Sequence, residues 1–346
     1  MGVYGGREST GGVTLNPENL PVKQFRQGDS DVGPSTDEVD DVELPDALTE
    51  LVDEYEALVG TRDGYLWRWF YVVSQRFQLS CVPSPNSERA LEQKSILTMF
   101  VTLLDDLAEH DGDRPTFEEA RKIPFPGEHA DLQREAVDTA FLEFAQRVWG
   151  TFEENLEAAP RYDEFCQLFR FDFRQVMNAI DYSLVTNEYL DASTLGGCEQ
   201  YDAHNMVVFA YTGVDLMYSP SFDRHDLGEL REVVWDAQMM GRIGNWVTTW
   251  ERELREGDFS SGVIVYALQR DIVTVDELRA DDPEKRAELA ERIRSHRVEE
   301  YFLTEWETRY SSLKSGRLEA ASVDLDGFVE GMKMVLTYHL ASRGKK

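Results

Sequence analysis

Cysteine is almost missing from this chain. Its 346 residues hold three, Cys81, Cys166 and Cys198, odd in number and far apart. They give no disulfide framework and no zinc-binding spacing, and such usage fits a reducing cytoplasm. Lysine is scarce as well, at 8 against 27 arginines. Basic residues in total number 35 against 66 acids, a formal net charge of −31. A surface that negative repels phosphate backbones and anionic lipid heads, which argues against nucleic acid and membrane surfaces as partners. No apolar run approaches the ~20 residues that span a bilayer. The N-terminus offers Gly, Glu and Arg where a secretory signal needs an apolar stretch. The expected location is therefore cytoplasmic. Alternating strand patterns are also lacking, with Val263–Ile264–Val265–Tyr266 the one short temptation, and there is no internal repeat or heptad pattern.

What is present is a good core supply. The hydrophobic share is 42%, with 7 Trp, 14 Tyr and 18 Phe, too rich for a disordered chain. Many acids with little lysine and a normal core imply a salt-adapted protein, from a halophile, in which screening removes self-repulsion.

Residues 1–45 read as a disordered tail. They hold seven Gly, four Pro and the acids Asp37, Glu38, Asp40, Asp41 and Glu43, with few apolar groups to offset the entropy of ordering. From Pro45 onward helical periodicity dominates. Leu48, Leu51, Tyr55 and Leu58 form one stripe. A helix capped by Ser87 runs through Ile96 to Leu104 and becomes apolar all round, as a buried helix does. Further helices are expected at 131–149, 162–190, 197–217, 226–256, 283–310 and 324–342, with Pro and Gly at the breaks. The expectation is one all-α domain over 46–346, about ten helices around a central cavity.

Two constellations carry chemistry. Asp105, Asp106 and Glu109 end the long apolar helix at spacings that place them on one side. Three carboxylates there suit a hard cation such as Mg²⁺ and oppose the helix macrodipole. Asn245, Thr249 and Glu253 stand at i, i+4 and i+8 of a later helix, one face bearing an amide oxygen, a hydroxyl and a carboxylate for a second hard cation.

Asp-Asp-x-x-acid on one helix, followed 140 residues later by Asn-xxx-Thr-xxx-Glu, resembles the paired metal motifs of class I terpene synthases. Arg252 matches the basic residue common before the terminal Glu. Trp306, Arg309 and Tyr310 resemble the Arg-Tyr pair near the end of the catalytic domain. The likeness covers about residues 60–310. It departs from the pattern at Trp246, in the place of an Asp, and at Glu109, in the place of an Asp. The stretch Tyr201–Met206 also has no Arg where the family often has its diphosphate sensor, leaving Arg170, Arg174 or Arg242 as replacements.

The resemblance implies a helical terpenoid-synthase bundle and three Mg²⁺ ions. Asp105, Asp106, Glu109, Asn245, Thr249 and Glu253 would be ligands, and Arg252, Arg309 and Tyr310 would hydrogen-bond the diphosphate of a farnesyl or geranylgeranyl substrate. Asn205 is assigned to the substrate. Phe100, Trp246 and Trp306 are expected to line a dry cavity where aromatic faces stabilise carbocations, with Trp67, Phe70, Phe209 and Trp250 as further candidates. Helical synthases of this kind often form homodimers. Asp281–Asp282–Pro283 reads as a helix start, since Pro suits the first helical turn. It lacks the further Asp of a second aspartate-rich motif. That argues against a chain-elongating prenyl diphosphate synthase, an enzyme that resembles this fold but carries two such motifs. Two other readings stay open, a prenyl-condensing or linear-alcohol-forming enzyme of the same fold, and a non-catalytic helical scaffold.

Overall fold

The computed structural model describes residues 36–108, 113–316 and 318–345. Among the described residues the regular elements are helices alone. They are α1 (Thr36–Asp40), α2 (Asp46–Leu58), α3 (Gly64–Arg76), α4 (Ser84–Asp106), α5 (Arg114–Ala120), α6 (Thr139–Glu157), α7 (Tyr162–Glu188) and α8 (Leu195–Gln200). After a 3₁₀ turn at Asp202–Met206 come α9 (Val208–Met217), α10 (Leu227–Glu256), α11 (Gly262–Gln269), α12 (Val275–Leu278), α13 (Pro283–Ser295), α14 (Val298–Ser315) and α15 (Leu325–Ala341). The all-α expectation therefore holds.

Several boundaries differ, each for a local reason. Residues 36–45 belong to the folded body: Val39 on α1 is buried and Glu38 bonds Arg76 and Tyr338. The rest of the expected tail, 1–35, lies outside the described residues. The helix expected at 131–149 begins at Thr139, where Asp138 accepts the backbone N–H of Phe141 as its cap. The segment 197–217 breaks at Val207, and 283–310 breaks at Arg297, both in the left-handed region with φ of 62° and 56°. The strand-like Val263–Tyr266 is part of α11, an apolar helix buried on most sides. Asp282 does cap α13, with Pro283 at its first position.

Two long helices organise the interior. α10 packs against α9, α14 and α15, while α4 packs against α3, α6 and α9. A fully buried ion pair ties α4 to α9: Lys94 Nζ lies 2.6 Å from Asp215 Oδ2, and Leu79 N donates to the same oxygen at 2.9 Å. α3 and α15 close the remaining side.

The α3–α15 contact depends on one glycine. A Cβ on Gly331 would fall 1.8 Å from Arg76 O and 2.8 Å from its carbonyl carbon. Backbone cannot yield as a side chain can, so α15 sits as close to the end of α3 as a hydrogen atom permits. Gly331→Ala is expected to cost about 1–3 kcal/mol, read by urea denaturation. Gly196→Ala, where a Cβ meets nothing within 4 Å, is the control. An equal effect at both positions would refute the close-approach argument.

Candidate active site

α4 and α10 face each other across a cavity. On α4 its wall is Thr98, Val101, Thr102 and Asp105, spaced three and four apart on one face. On α10 it is Gly241, Arg242, Asn245, Thr249, Arg252 and Glu253. Asn205, from the 3₁₀ turn, lies between them and donates to Asp105 Oδ1 at 2.9 Å.

The cavity has two chemically distinct parts that share Leu66, Thr102, Asp105, Asn205, Arg242 and Asn245. The polar part, about 150 Å³, adds Arg62, Thr249, Arg252, Glu253 and Asp258. The deeper part, about 180 Å³, is mostly apolar and is walled by Trp69, Phe70, Phe77, Tyr211, Met332 and Val335, with His339 beside them. Phe70 and Phe77 lie 5.3 Å and 5.9 Å from the Tyr211 ring, whose hydroxyl is satisfied by Thr98 at 2.8 Å.

The electrostatics of the polar part are unbalanced. Each of its three arginines is engaged by an acid outside this part. Arg62 holds Asp106 at 2.5 Å, Arg242 grips both oxygens of Asp202 at 2.7 Å, and Arg252 meets Glu256 at 3.2 Å. The acids inside it lie among neutral groups instead: Asn205 donates to Asp105, Asn187 and Ser260 N donate to Asp258, and the Thr249 hydroxyl on the same helix face as Glu253 donates to Asn245 O. Six carboxylates thus accompany three guanidinium groups. Burial pushes Asp105 upward, despite the Asn205 hydrogen bond. Burial, then the charge of Asp258, raises Glu253 to about 7. Glu253 Oε2 is buried with no hydrogen-bond partner. A buried, unsatisfied carboxylate oxygen in an anionic hollow is suited to a cation.

Among the described residues no three His, Cys, Asp or Glu side chains converge as a metal cluster. The donors gathered here are of mixed type, two carboxylates with an amide oxygen and a hydroxyl, all hard oxygen ligands of the kind Mg²⁺ accepts. Asp105 would hold one such ion, and Asn245, Thr249 and Glu253 a second.

Several residues assigned from sequence stand elsewhere. Asp106 is turned away and buried, accepting from Arg62, Thr61 and Tyr55; as the residue after Asp105 it is rotated about 100° around the helix. Glu109 lies outside the described residues. Phe100 is about 200° from Thr98 and packs with Trp149 and Phe173 in an aromatic cluster behind α4. Trp246, the residue after Asn245, packs edge-on against Phe302 and donates to Asp202 Oδ2 at 3.1 Å. Trp306 stacks on Tyr310. Arg309 pairs with Asp236 at 2.8 Å and Tyr310 donates to Glu330. Asp236 is nine residues before Asn245, roughly 13 Å along α10, so the Arg309–Tyr310 pair is not brought to the cavity.

Of the further aromatic candidates, Phe70 lines the deep part, whereas Trp67 packs on Tyr55, Phe209 packs near His204 and Trp235, and Trp250 donates to Glu299. Among the replacement arginines, Arg242 is in the wall, while Arg170 and Arg174 meet Glu153 and Glu128. Sequence reasoning missed Arg62 and Asp258. Neither belongs to a periodic face that the pattern could have flagged. Both sit beside a turn, Arg62 just before the Asp63 cap of α3 and Asp258 just after Gly257.

No family model and no curated protein sequence matches the chain. A likeness appears in the solved structures. A polyprenyl synthetase from Streptomyces coelicolor A3(2) superposes with a TM-score of 0.53, at 15% identity, over 88% of this chain and 94% of that one. At that identity the likeness is one of fold: this chain has the all-helical architecture of that synthetase.

Among the described residues no helix is long and apolar enough to cross a membrane.

Proposed function

We propose that the protein is a Mg²⁺-dependent class I terpene synthase, which ionises a prenyl diphosphate to a terpene hydrocarbon or alcohol and releases diphosphate. The observation that carries this reading is the meeting of Asp105 with Asn245, Thr249 and Glu253 at the mouth of a cavity whose depth is apolar and aromatic. The fold shared with a polyprenyl synthetase supports it.

Each part of the cavity has a task in this reading. Asp105 would hold one Mg²⁺, and Asn245, Thr249 and Glu253 another; such ions would neutralise the charge that develops on the leaving diphosphate. Arg242, Arg62 and Arg252 face the same anion. Arg242 also donates to Asn245 Oδ1 at 2.9 Å, so a cation-ligating oxygen and an anion-binding guanidinium are held in register. Arg242 takes the place of the diphosphate sensor. Trp69, Phe70, Phe77 and Tyr211 keep water from the prenyl chain and offer π faces to a carbocation.

The test is incubation of purified protein with farnesyl and with geranylgeranyl diphosphate, in high KCl with Mg²⁺. High salt is included because the acidic, lysine-poor composition is read as salt adaptation. Diphosphate together with a hydrocarbon or terpene alcohol is expected. A folded protein that yields neither from either substrate would overturn the reading. Arg309→Gln is expected to leave KM and kcat within about twofold, because its guanidinium meets Asp236 rather than the cavity, whereas Arg242→Gln should lower kcat/KM by about tenfold or more.

A condensing enzyme of the same fold is the second reading. It is favoured by a further hollow of about 470 Å³ that adjoins the mouth through Arg62, Leu66 and Arg252 and adds Lys345 alongside Asp63 and Glu256, room for a second substrate. Longer prenyl diphosphates, formed only when isopentenyl diphosphate is supplied, would select it.

A further inference from the structure

α10 ends in a turn that reaches back to the cavity. Gly257 takes φ 87°, a left-handed conformation that glycine adopts without strain. The N–H groups of Gly257 and Asp258 both donate to Glu253 O at 3.0 Å. The chain therefore folds over the last turn of the helix and sets the Asp258 side chain into the polar wall with Asn245, Thr249 and Glu253.

That placement is electrostatically unfavourable by itself. Two carboxylates share the negative end of a 30-residue helix. The structure nevertheless fixes Asp258 there. Its Oδ1 accepts from Asn187 Nδ2 and from Ser260 N, both at 2.9 Å. Asn187 is itself oriented, since its Oδ1 accepts from Phe259 N at 2.8 Å. Among the described residues every hydrogen bond to Asp258 falls on Oδ1 and none on Oδ2. Glu253 Oε2 is the second carboxylate oxygen left over at this wall, buried and without a hydrogen-bond partner. Two acids held side by side, each with one oxygen to spare, form the donor set of a hard divalent cation.

We propose that Asp258 is a fourth protein ligand to the cation of the Asn245–Thr249–Glu253 site, giving Oδ2 while Asn187 and Ser260 N hold Oδ1. This rests on the reading of that triplet as a cation site. With two carboxylates, an amide oxygen and a hydroxyl, the site matches the charge of one divalent ion. That balance would let it fill without diphosphate, and the ion would join the end of α10 to the loop that enters α11.

The test uses the full-length protein and Mn²⁺ alone, with the free-ion electron paramagnetic resonance signal as readout and no diphosphate present. Wild type should bind one Mn²⁺ more tightly than any other. Asp258→Asn keeps the oxygen that accepts from Asn187 and Ser260 N. Without metal it should melt at or above the wild-type temperature yet weaken this site about tenfold or more, as Glu253→Gln does. Asp258→Ser, whose hydroxyl suits the same turn, serves if the amide disturbs folding. Wild-type affinity in a folded Asp258 variant, with loss in Glu253→Gln, overturns the role of Asp258 and leaves the triplet standing. Equal Mn²⁺ binding in wild type and Glu253→Gln overturns both.

Discussion

Glu253→Gln is expected to lower diphosphate release by about 100-fold or more, and at the same time to make the cation-free protein more stable. The two effects have one origin. On the proposed reading Glu253 stands where a cation would stabilise its charge, and the nearby Arg242 and Arg252 offset its burial only in part. Burial and the neighbouring charge of Asp258 raise it from 4.5 to about 7. The sign follows from proton linkage. Between about pH 4.5 and 7 the folded protein holds a proton there that the unfolded chain has already released. The stability associated with that proton is fully present below 4.5 and is lost as the pH rises through 7. Glutamine does not titrate and avoids the loss. At pH 8 without divalent ions the variant should exceed wild type by up to about 3 kcal/mol, and near pH 4.5 the difference should vanish. Mg²⁺ should raise the wild-type melting temperature more at pH 8 than at pH 5.5. Thermal melts at the two pH values, with and without Mg²⁺, decide the matter. A variant less stable than wild type at pH 8 would show that the carboxylate is satisfied by the protein alone.

The second large effect lies behind the aromatic wall. Lys94→Met should cost about 3–5 kcal/mol in urea denaturation, because it leaves Asp215 charged and without its cation in a fully buried position. Leu79 N would remain its donor, too little to offset the lost ammonium. Converting both partners, Lys94→Met with Asp215→Leu, removes both desolvation penalties and should recover most of the loss. Burial works against each charge, lowering Lys94 and raising Asp215, so their 2.6 Å contact, helped by Leu79 N, sustains the pair. It also matters for the cavity. Lys94 Nζ lies 5.1 Å from the centre of the Phe77 ring, and Phe77 lines the deep part. With Asp215 beside it, the ammonium does not present an uncompensated positive charge to the chamber. A cost below about 1 kcal/mol for Lys94→Met would mean that water reaches the pair.

How much of this was legible beforehand depended on the kind of signal. The helical class followed from periodicity, and the downstream triplet from i, i+4, i+8 spacing, because both are local consequences of one helix. Asp105 and its partners on α10 were paired through a resemblance rather than through a contact that the sequence could reveal. The errors have a shared cause. Phe100, Asp106 and Trp246 each stand one or two residues from a cavity residue, and one or two steps on a helix turn a side chain by 100° or 200°. The stripe Thr98, Val101, Thr102, Asp105 was present in the sequence and would have excluded Phe100. Arg309 and Tyr310 failed for a longer-range reason. Their helix meets α10 near Asp236, two and a half turns from Asn245, and no pattern within α14 encodes where it crosses. Arg62 and Asp258 sit beside turns, where periodicity is silent and only the folded backbone brings them in.

The narrow place between α3 and α15 has a consequence for how such a cavity can change over generations. Met332, Val335 and His339 are carried by the same helix as Gly331. The position of that wall is thus inherited from a missing methyl group. A side chain at 331 can be accommodated only by moving α15, and the wall moves with it. Variation at a position that lines neither part of the cavity would therefore reshape the cavity itself.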